Sequence, residues 1–314
     1  MRDVALPLMR AMIIAGLLHG GAEAASISAG PQMRTYVSGT GSDNGACTAS
    51  SPCKTFQAAL AMTLAGGEIF ALNSANYGAV TINKAVTITS EGAVAGILAT
   101  GGVGITINAG AGDIVNLRGL DIDGGNSGTN GIQFNSGRTL NIQKSTVRNF
   151  TNSGIGFSPS VGTSSLVVSD TMLTSNGRNG LLIAPTGSGG VNGALSRVVT
   201  VGNGLATNGV GIFVYGLGSS GAVNVTLTDT VANNNYYGAG AVSAALMVRN
   251  STLTNNAVGV QSDQGAVVRI GQATLTGNVI GWQSANGGLL QSFGTNNLSG
   301  NQTDGVASGT LALQ

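Results

Sequence analysis

Short apolar runs that alternate with polar residues cover most of the chain. Segments such as "LVVSDTMLTSN" (166–176) and "LMVRNSTLTNN" (246–256) place apolar side chains at every second position, and Asn, Gly, Ser or Asp follow each run. A period of two is typical of half-buried strands, and the polar breaks are typical of turns. The pattern therefore predicts an all-β chain built from many short strands.

These segments also repeat along the chain. "STLTNNAVGV" (251–260) is followed 22 residues later by "ATLTGNVIGW" (273–282), with an asparagine at the same place in each copy. Repeats of ~20–50 residues are typical of solenoids, propellers and arrays, and a four-stranded propeller blade needs ~40–45. Here the intervals between asparagines are 22 to 31 residues, which leaves room for three short strands. The asparagines predict one column, with Phe150 in its first place: Asn176, Asn203, Asn234, Asn256, Asn278 and Asn301.

A coil of three short strands satisfies this pattern. If coils stack at ~4.8 Å, each strand pairs in parallel with its copies, like residues stack inside, and the asparagines form a ladder of amides. One expected inward column is Ile132, Ile155, Leu181, Val210 and Val258, and the next is Phe134, Phe157, Ile183, Ile212, Val260 and Trp282. The sequence therefore predicts a parallel β-helix. A leucine-rich horseshoe is disfavoured because its repeat contains a helical segment.

The ends of such a solenoid need caps, because an open coil exposes core and unpaired strand edges. "SPCKTFQAALAMTLAGG" (51–67) predicts an N-terminal capping helix with Ser51 as N-cap and Pro52 in its first position. Its apolar face is formed by Phe56, Ala59 and Leu60. The expected organisation is an N-terminal cap (34–67), coils (68–308) and a C-terminal end with a last strand (309–314).

Residues 1–24 are predicted to be a signal peptide. Arg2 and Arg10 supply positive charge, "AMIIAGLL" (11–18) is a short apolar run, and "AEA" (22–24) is a small-x-small cleavage signal. The run is shorter than the ~20 residues of a membrane span. We therefore expect cleavage near Ala24 and a single domain (25–314) that is extracellular, periplasmic or held at the cell surface.

Composition and cysteine spacing fit this organisation. The chain carries 8% charged residues and a net charge of +1, which gives no electrostatic reason to expect a nucleic-acid partner. Hydrophobic residues make up 42%, enough to build a core. Cys47 and Cys53 close a short loop, and export makes a structural disulfide the expected state of the pair. One cysteine pair without histidine is a poor metal site, so no metal is expected there.

Three stretches resemble the opening of a known group of proteins: "TYVSGTGSDNGACTASSPCKTFQAAL" (35–60), "GGEIFAL" (66–72) and "YGAVTINKAVTITSEG" (77–92). They are similar to secreted bacterial proteins with a right-handed, single-stranded parallel β-helix of the pectin-lyase-like superfamily, in a subgroup without an assigned activity. The resemblance covers roughly residues 34–308. It implies the fold but not the function, because this fold carries lyases, hydrolases, esterases, adhesins and tailspikes.

Candidate catalytic residues are few. The only histidine is His19, inside the predicted signal peptide, so the mature chain has none for acid–base chemistry. In "LRGLDIDGG" (117–125), Asp121 and Asp123 alternate about one inward residue and are expected to point outward, ~7 Å apart. Such carboxylates can act in catalysis or help to hold Ca²⁺, with Arg118 or Arg148 as the basic partner that lyases of this fold use.

A simpler interpretation competes with the catalytic one. Aligning successive coils places Arg148 one turn above Asp123, so the two residues can form a solvated ion pair without chemical function. A second candidate is the pair Tyr236 and Tyr237 in "NNNYYGAG" (233–240), because amphipathic aromatic rings often anchor ligands and asparagines suit sugar hydroxyls. The alternative for this pair is that one ring packs inward.

Three functions therefore remain open. The favoured one is a non-catalytic solenoid whose long face binds a polysaccharide or a cell-surface glycan. The second is a lyase-like, polysaccharide-active enzyme that uses Asp121 and Asp123 with a basic residue. The third is a purely structural or adhesive protein. No cofactor is expected, apart from Ca²⁺ at the aspartates in the second case.

Overall fold

The computed structural model describes residues 30–205 and 209–312, so the expected signal peptide lies outside the described residues. The chain winds into a solenoid of about nine turns made of three parallel sheets. Each turn contributes one strand to sheet I, then one to sheet II and one to sheet III. This architecture is the parallel β-helix that the sequence repeat predicts. It is not the leucine-rich horseshoe that the sequence disfavoured.

The strands are numbered in chain order. Sheet I contains β1 (Gln32–Val37), β2 (Thr63–Ala71), β5 (Val86–Thr89), β8 (Ile114–Arg118), β11 (Thr139–Gln143), β14 (Thr163–Ser169), β17 (Gly190–Ser196), β20 (Val223–Thr228), β23 (Ala245–Arg249), β26 (Val267–Gly271), β29 (Leu289–Ser292) and β31 (Gly309–Thr310). Sheet II contains β3 (Ala75–Asn76), β6 (Ala95–Leu98), β9 (Leu120–Asp123), β12 (Thr146–Arg148), β15 (Met172–Thr174), β18 (Val199–Val201), β21 (Val231–Asn233), β24 (Thr252–Thr254), β27 (Thr274–Thr276) and β30 (Asn297–Leu298). Sheet III contains β4 (Val80–Ile82), β7 (Ile105–Asn108), β10 (Ile132–Ser136), β13 (Ser153–Phe157), β16 (Asn179–Ile183), β19 (Val210–Tyr215), β22 (Tyr237–Val242), β25 (Val258–Asp263) and β28 (Ile280–Ala285).

The described part of the chain contains one helix, α1 (Phe56–Met62), which precedes β2 and buries the predicted apolar face. The predicted start at Ser51 is wrong, because α1 begins at Phe56 and its N-cap is Thr55, whose hydroxyl accepts a bond from the amide of Ala58 at 3.2 Å. The reason lies in Cys53, which forms a parallel bridge with Val37 of β1 and is therefore held extended. Among the described residues, no helix combines the length and the apolar character of a membrane span.

The disulfide joins Cys47 to Cys53, as the spacing suggests. Both residues are buried, and the backbone of Cys53 bonds to Tyr36 and Ser38 on the two sides of Val37. The disulfide therefore fixes the loop that precedes α1 against β1. A structural disulfide of this kind suits an oxidising compartment outside the cytosol.

The core is a stack of inward columns. Ile132, Ile155 and Leu181 are aligned in register, as predicted, and all three are fully buried. The column continues through Ile212, Ala239, Val260 and Trp282, and not through Val210 and Val258. The predicted register is thus wrong by two residues after the third coil.

A local sequence likeness explains this error. The dipeptide "NG" occurs both at 179–180 and at 208–209. This likeness suggests that the two dipeptides occupy the same place in their coils. In the structure Gly180 instead lies against the carbonyl of Gly211 in the next coil. In each of these coils the residue after this glycine enters the inward column. The register therefore follows the glycine and not the asparagine of the "NG" dipeptide.

Asparagines form a ladder at the corner between sheets II and III, and all of them except the last, the half-buried Asn301, are buried. The ladder contains Asn176, Asn203, Asn235, Asn256, Asn278 and Asn301, and each side-chain amide donates to the side-chain oxygen of the next at 2.9 to 3.3 Å. Each of these oxygens also accepts a backbone N–H from the preceding rung. Phe150 occupies the first place, as predicted, and its N–H bonds to the side chain of Asn176.

The predicted member Asn234 is wrong, and Asn235 takes its place. The residue before each rung has a left-handed backbone, and Asn234 has this role with a φ of 53°. Ser175 and Asn255 occupy the same place in other coils, with φ of 56° in both. Asparagine tolerates the left-handed region better than most residues, so its presence alone does not identify the rung.

A column of glycines lies beside this ladder. A Cβ on Gly238 would lie 2.6 Å from the carbonyl oxygen of Gly259 and 3.0 Å from the side-chain nitrogen of Asn256. A Cβ on Gly259 would lie 2.3 Å from the carbonyl oxygen of Gly281. Only a residue without a side chain fits between a rung and the next coil. This accounts for the glycine in "AVGV" (257–260) and in each related step.

A second column lies at the corner between sheets I and II, where one residue per coil has a left-handed backbone. Its members include Lys144, Asp170, Arg197 and Asp229, with φ of 48° to 53°. The guanidinium of Arg197 bonds to both carboxylate oxygens of Asp170, at 2.6 and 2.9 Å. Charges of opposite sign therefore follow one another from coil to coil along this corner.

Candidate functional site

The carboxylates of Asp121 and Asp123 lie on the outer face of sheet II, on β9. Arg148 of β12 pairs in register with Asp123, the arrangement expected from the aligned coils. Its Nε donates to Asp123 at 3.0 Å and its Nη2 to Asp121 at 3.1 Å, and Nη1 also contacts Asp121. One guanidinium therefore neutralises much of the charge of both carboxylates.

The pKa of Asp123 is lowered by its hydrogen bonds and by the nearby guanidinium. Partial burial raises its pKa, but the N–H of Gly125, the amide of Asn149 and the charge of Arg148 outweigh this and hold the pKa below its usual value. The hydrogen bonds that Arg148 donates to Asp121 raise the pKa of its guanidinium above the usual value. Asp123 is therefore expected to be ionised at neutral pH, and it lacks the raised pKa of a catalytic acid.

The structure does not place Arg118 in this cluster. Arg118 ends β8 in sheet I, where its guanidinium lies 3.5 Å from Glu91 and donates to Gln143 at 3.0 Å. Arg148 and not Arg118 is thus the basic residue beside the carboxylates. In residues 30–205 and 209–312, no three His, Cys, Asp or Glu side chains come together to hold a metal ion.

Removing Arg148 is expected to destabilise the chain in a pH-dependent manner. Each side chain is about one-third exposed, so the pairs are solvent-screened and worth about 1 kcal/mol together. A carboxylate with a depressed pKa contributes stability above the unfolded value, about 3.9, and loses it as the pH falls through the folded pKa. Arg148→Met should therefore lower the free energy of unfolding at pH 7 but not near pH 2, as measured by urea titration.

The control for this prediction is Arg138→Met. Arg138 is exposed, and none of the described ion pairs includes it. We expect no measurable change at either pH for that variant. A loss at Arg148 that is the same at pH 7 and pH 2 would contradict the electrostatic explanation.

A groove of about 510 Å³ crosses the outer face of sheet III. It spans β16, β19, β22 and β25, and its volume lies within the range of small-molecule sites. Leu182, Phe213, Gly240 and Gln261 follow one another in register along its floor. Because Gly240 has no side chain, the floor is low beside the ring of Phe213.

Aromatic side chains line the groove. Tyr237 lies at its side, and Phe213 and Tyr215 alternate outward along β19 with ring centroids 5.8 Å apart. Tyr236 packs edge-on against Tyr237, with centroids 5.0 Å apart. Burial raises the pKa of Tyr237, and the nearby Tyr236 and Asp263 raise it further. The tyrosine at 237 therefore stays neutral and can donate or accept a hydrogen bond.

The two predicted tyrosines thus have different positions. Both are partly exposed, so neither is the fully inward ring of the alternative interpretation, but only Tyr237 lines the groove. Four further residues of the groove were not among the predicted site residues: Phe213, Tyr215, Arg178 and Asp263. A signal existed for the first two, since "GIFVY" (211–215) alternates and points both rings away from the core.

Comparison with known proteins gives a likeness of fold. A pectate lyase, Pel9A, matches with a TM-score of 0.57 and 14% identity, over 90% of this chain and 79% of that one. Two A-modules of mannuronan C-5 epimerases from Azotobacter vinelandii, AlgE4 and AlgE6, match with TM-scores of 0.48 and 0.46 and 16% identity, over 79% of this chain and 91% of each module. No family model and no curated protein matches the sequence. The chain therefore has a parallel β-helix fold like that of this pectate lyase.

Proposed function

We propose that this chain is an exported β-helix that binds a glycan in the groove across sheet III without cleaving it. The observation that carries the proposal is the row of partly exposed aromatic rings, Phe213, Tyr215 and Tyr237, around a floor opened by Gly240. Amphipathic rings pack against the apolar faces of sugars while their polar edges remain hydrated. The groove is open along four coils, so a chain longer than one sugar can lie in it.

The amide side chains beside the rings add hydrogen-bonding capacity. Asn152, Asn179 and Gln261 line the same groove, and amides both donate to and accept from hydroxyls. The pectate lyase of like fold is a polysaccharide-active protein by name, which makes a glycan partner reasonable for this chain. The disulfide supports an extracellular location, and the signal peptide remains part of the proposal.

A lyase-like activity is the second candidate, and it depends on Asp121 and Asp123. Ca²⁺ binding there requires the metal to displace Arg148 from both carboxylates. We therefore expect the double variant Asp121→Asn, Asp123→Asn to bind the glycan as the unaltered protein does. The release of unsaturated sugar ends is also expected to be the same for both proteins. Loss of Ca²⁺ binding or of product in that variant would instead favour the enzyme.

Removing the rings of the groove is expected to abolish most of the binding. Phe213→Ala and Tyr237→Ala should each weaken glycan binding at least about tenfold, which corresponds to 1.4 kcal/mol, because each removes stacking area. A glycan array on the mature protein, followed by calorimetry with the retained glycan, measures the effect. Thermal unfolding of each variant checks that the coils remain folded.

Tyr36→Ala is the matched control. Tyr36 lies on sheet I, where it contacts Phe70 with ring centroids 6.4 Å apart and is far from the groove in the coil order. Its removal should leave binding unchanged. If no glycan is retained, or if Phe213→Ala and Tyr237→Ala bind as well as the unaltered protein, the proposed function is wrong.

A further inference from the structure

One end of the groove on sheet III carries a positive charge that forms no ion pair with the described residues. Arg178 is exposed and lies in the corner before β16. Within the described residues, its guanidinium forms none of the ion pairs and none of the side-chain hydrogen bonds, whereas Arg148 and Arg197 are both held by aspartates. A free guanidinium at the rim of a groove suits a carboxylate, sulfate or phosphate group of a ligand.

The opposite end of the groove carries a carboxylate that has no cationic partner in residues 30–205 and 209–312. Asp263 ends β25, and its oxygens accept bonds from the amide of Asn286 at 2.8 Å, the N–H of Gln264 at 2.7 Å and the amide of Gln261 at 3.3 Å. All three donors are neutral, and no arginine or lysine of the described residues pairs with it. These bonds fix the carboxylate in position while leaving its charge uncompensated.

The region between the two charges is apolar and aromatic. Leu182 and Phe213 form the floor, and Tyr215 precedes Asp263 by two coils in the same register position. Arg178 and Asp263 belong to coils three steps apart, which separates them by ~14 Å along the solenoid axis. Aromatic faces beside a carboxylate also favour a cation, through the negative face of the ring.

We infer that the groove takes a glycan with charges of both signs, whose acidic group faces Arg178 and whose ammonium group, from an amino sugar, faces Asp263. This inference rests on the proposed function and adds the charge pattern of its ligand. A neutral glycan leaves both charges without partners when it displaces water from the groove. A polyanionic glycan meets the uncompensated carboxylate of Asp263, and a polycationic one meets Arg178.

Two oligosaccharides that differ only in one group test the inference. The probes are alternating glucuronic acid–glucosamine oligomers of equal length, one with free amino groups and one N-acetylated. We expect the form with free amino groups to bind at least tenfold more tightly at low salt, and the difference to shrink as salt is raised. Calorimetry with the mature protein measures both dissociation constants.

Two variants assign the charges to their residues. Asp263→Asn keeps the shape of the side chain and should remove the preference for free amino groups, while binding of the N-acetylated form stays the same or improves. Arg178→Gln should weaken both forms at least fivefold. The controls are Asp229→Asn and Arg138→Gln, exposed residues outside the groove, which should change neither constant.

The outcomes separate this inference from the proposed function. Equal binding of the two probes, or an undiminished preference in Asp263→Asn, overturns the inference, even if a glycan still binds through Phe213. Absence of binding by every glycan overturns both. A preference that Asp263→Asn abolishes and Asp229→Asn preserves supports the inference.

Discussion

Replacing Asn256 by leucine should lower the free energy of unfolding by about 4 kcal/mol. The side chain of Asn256 accepts the N–H of Asn235 at 2.9 Å and donates to the carbonyl of Ala232 at 3.0 Å and to Asn278 at 3.0 Å. Leucine removes these partners in a fully buried corner, and each unsatisfied buried group costs about 1–3 kcal/mol. The midpoint of guanidinium unfolding, followed by circular dichroism, measures the loss.

Asn224→Leu is the matched control for the ladder. Asn224 is exposed on sheet I and takes part in none of the side-chain bonds described, so its substitution should stay within about 0.5 kcal/mol. Because a solenoid is stabilised by contacts between neighbouring coils, the Asn256→Leu variant is also expected to unfold less cooperatively. Equal midpoints for the two variants would show that the ladder contributes little.

Gly259→Ala should destabilise the chain by about 3 kcal/mol. The added Cβ would lie 2.3 Å from the carbonyl oxygen of Gly281 and 3.2 Å from the side-chain nitrogen of Asn278. The first contact is with backbone, which cannot rotate away, so the coils must separate locally or the ladder must shift. Thermal and guanidinium unfolding of the variant measure the cost.

Gly102→Ala provides the comparison. A Cβ on Gly102 would meet no atom within 4 Å, and its backbone does not have a positive φ. Alanine there should be neutral or slightly stabilising, since it restricts the unfolded chain. A similar loss at both positions would mean that the close approach of coils at Gly259 is unimportant.

The alternation of apolar residues and the repeated asparagines were sufficient to predict the fold. A strand with one buried face needs apolar residues at every second position, and a buried amide needs a hydrogen-bond partner, so both features are easily recognised in the sequence. The exact register of the coils is harder to read from the sequence. Asn234 and Asn235 are chemically identical, and only the left-handed backbone of Asn234 decides which one faces inward.

The candidate sites differ in how far the sequence could predict them. The cluster of Asp121, Asp123 and Arg148 lies on two adjacent coils, so aligning those coils was sufficient to bring the three residues together. The groove instead draws residues from four coils, and its two charged ends lie three coils apart. The predicted register is wrong by two residues after the third coil, so it does not place Phe213 beside Leu182. The groove therefore could not be assembled before the register was known.

The corner column of Lys144, Asp170, Arg197 and Asp229 has a consequence for how the chain can gain or lose coils. Deleting the single turn that contains Arg197 would bring Asp170 beside Asp229, two like charges on adjacent left-handed residues. The asparagine ladder would tolerate the same deletion, because Asn176 would simply meet Asn235. This part of the solenoid is therefore expected to gain or lose turns in pairs. Only an even number of turns keeps positive and negative side chains alternating along the corner.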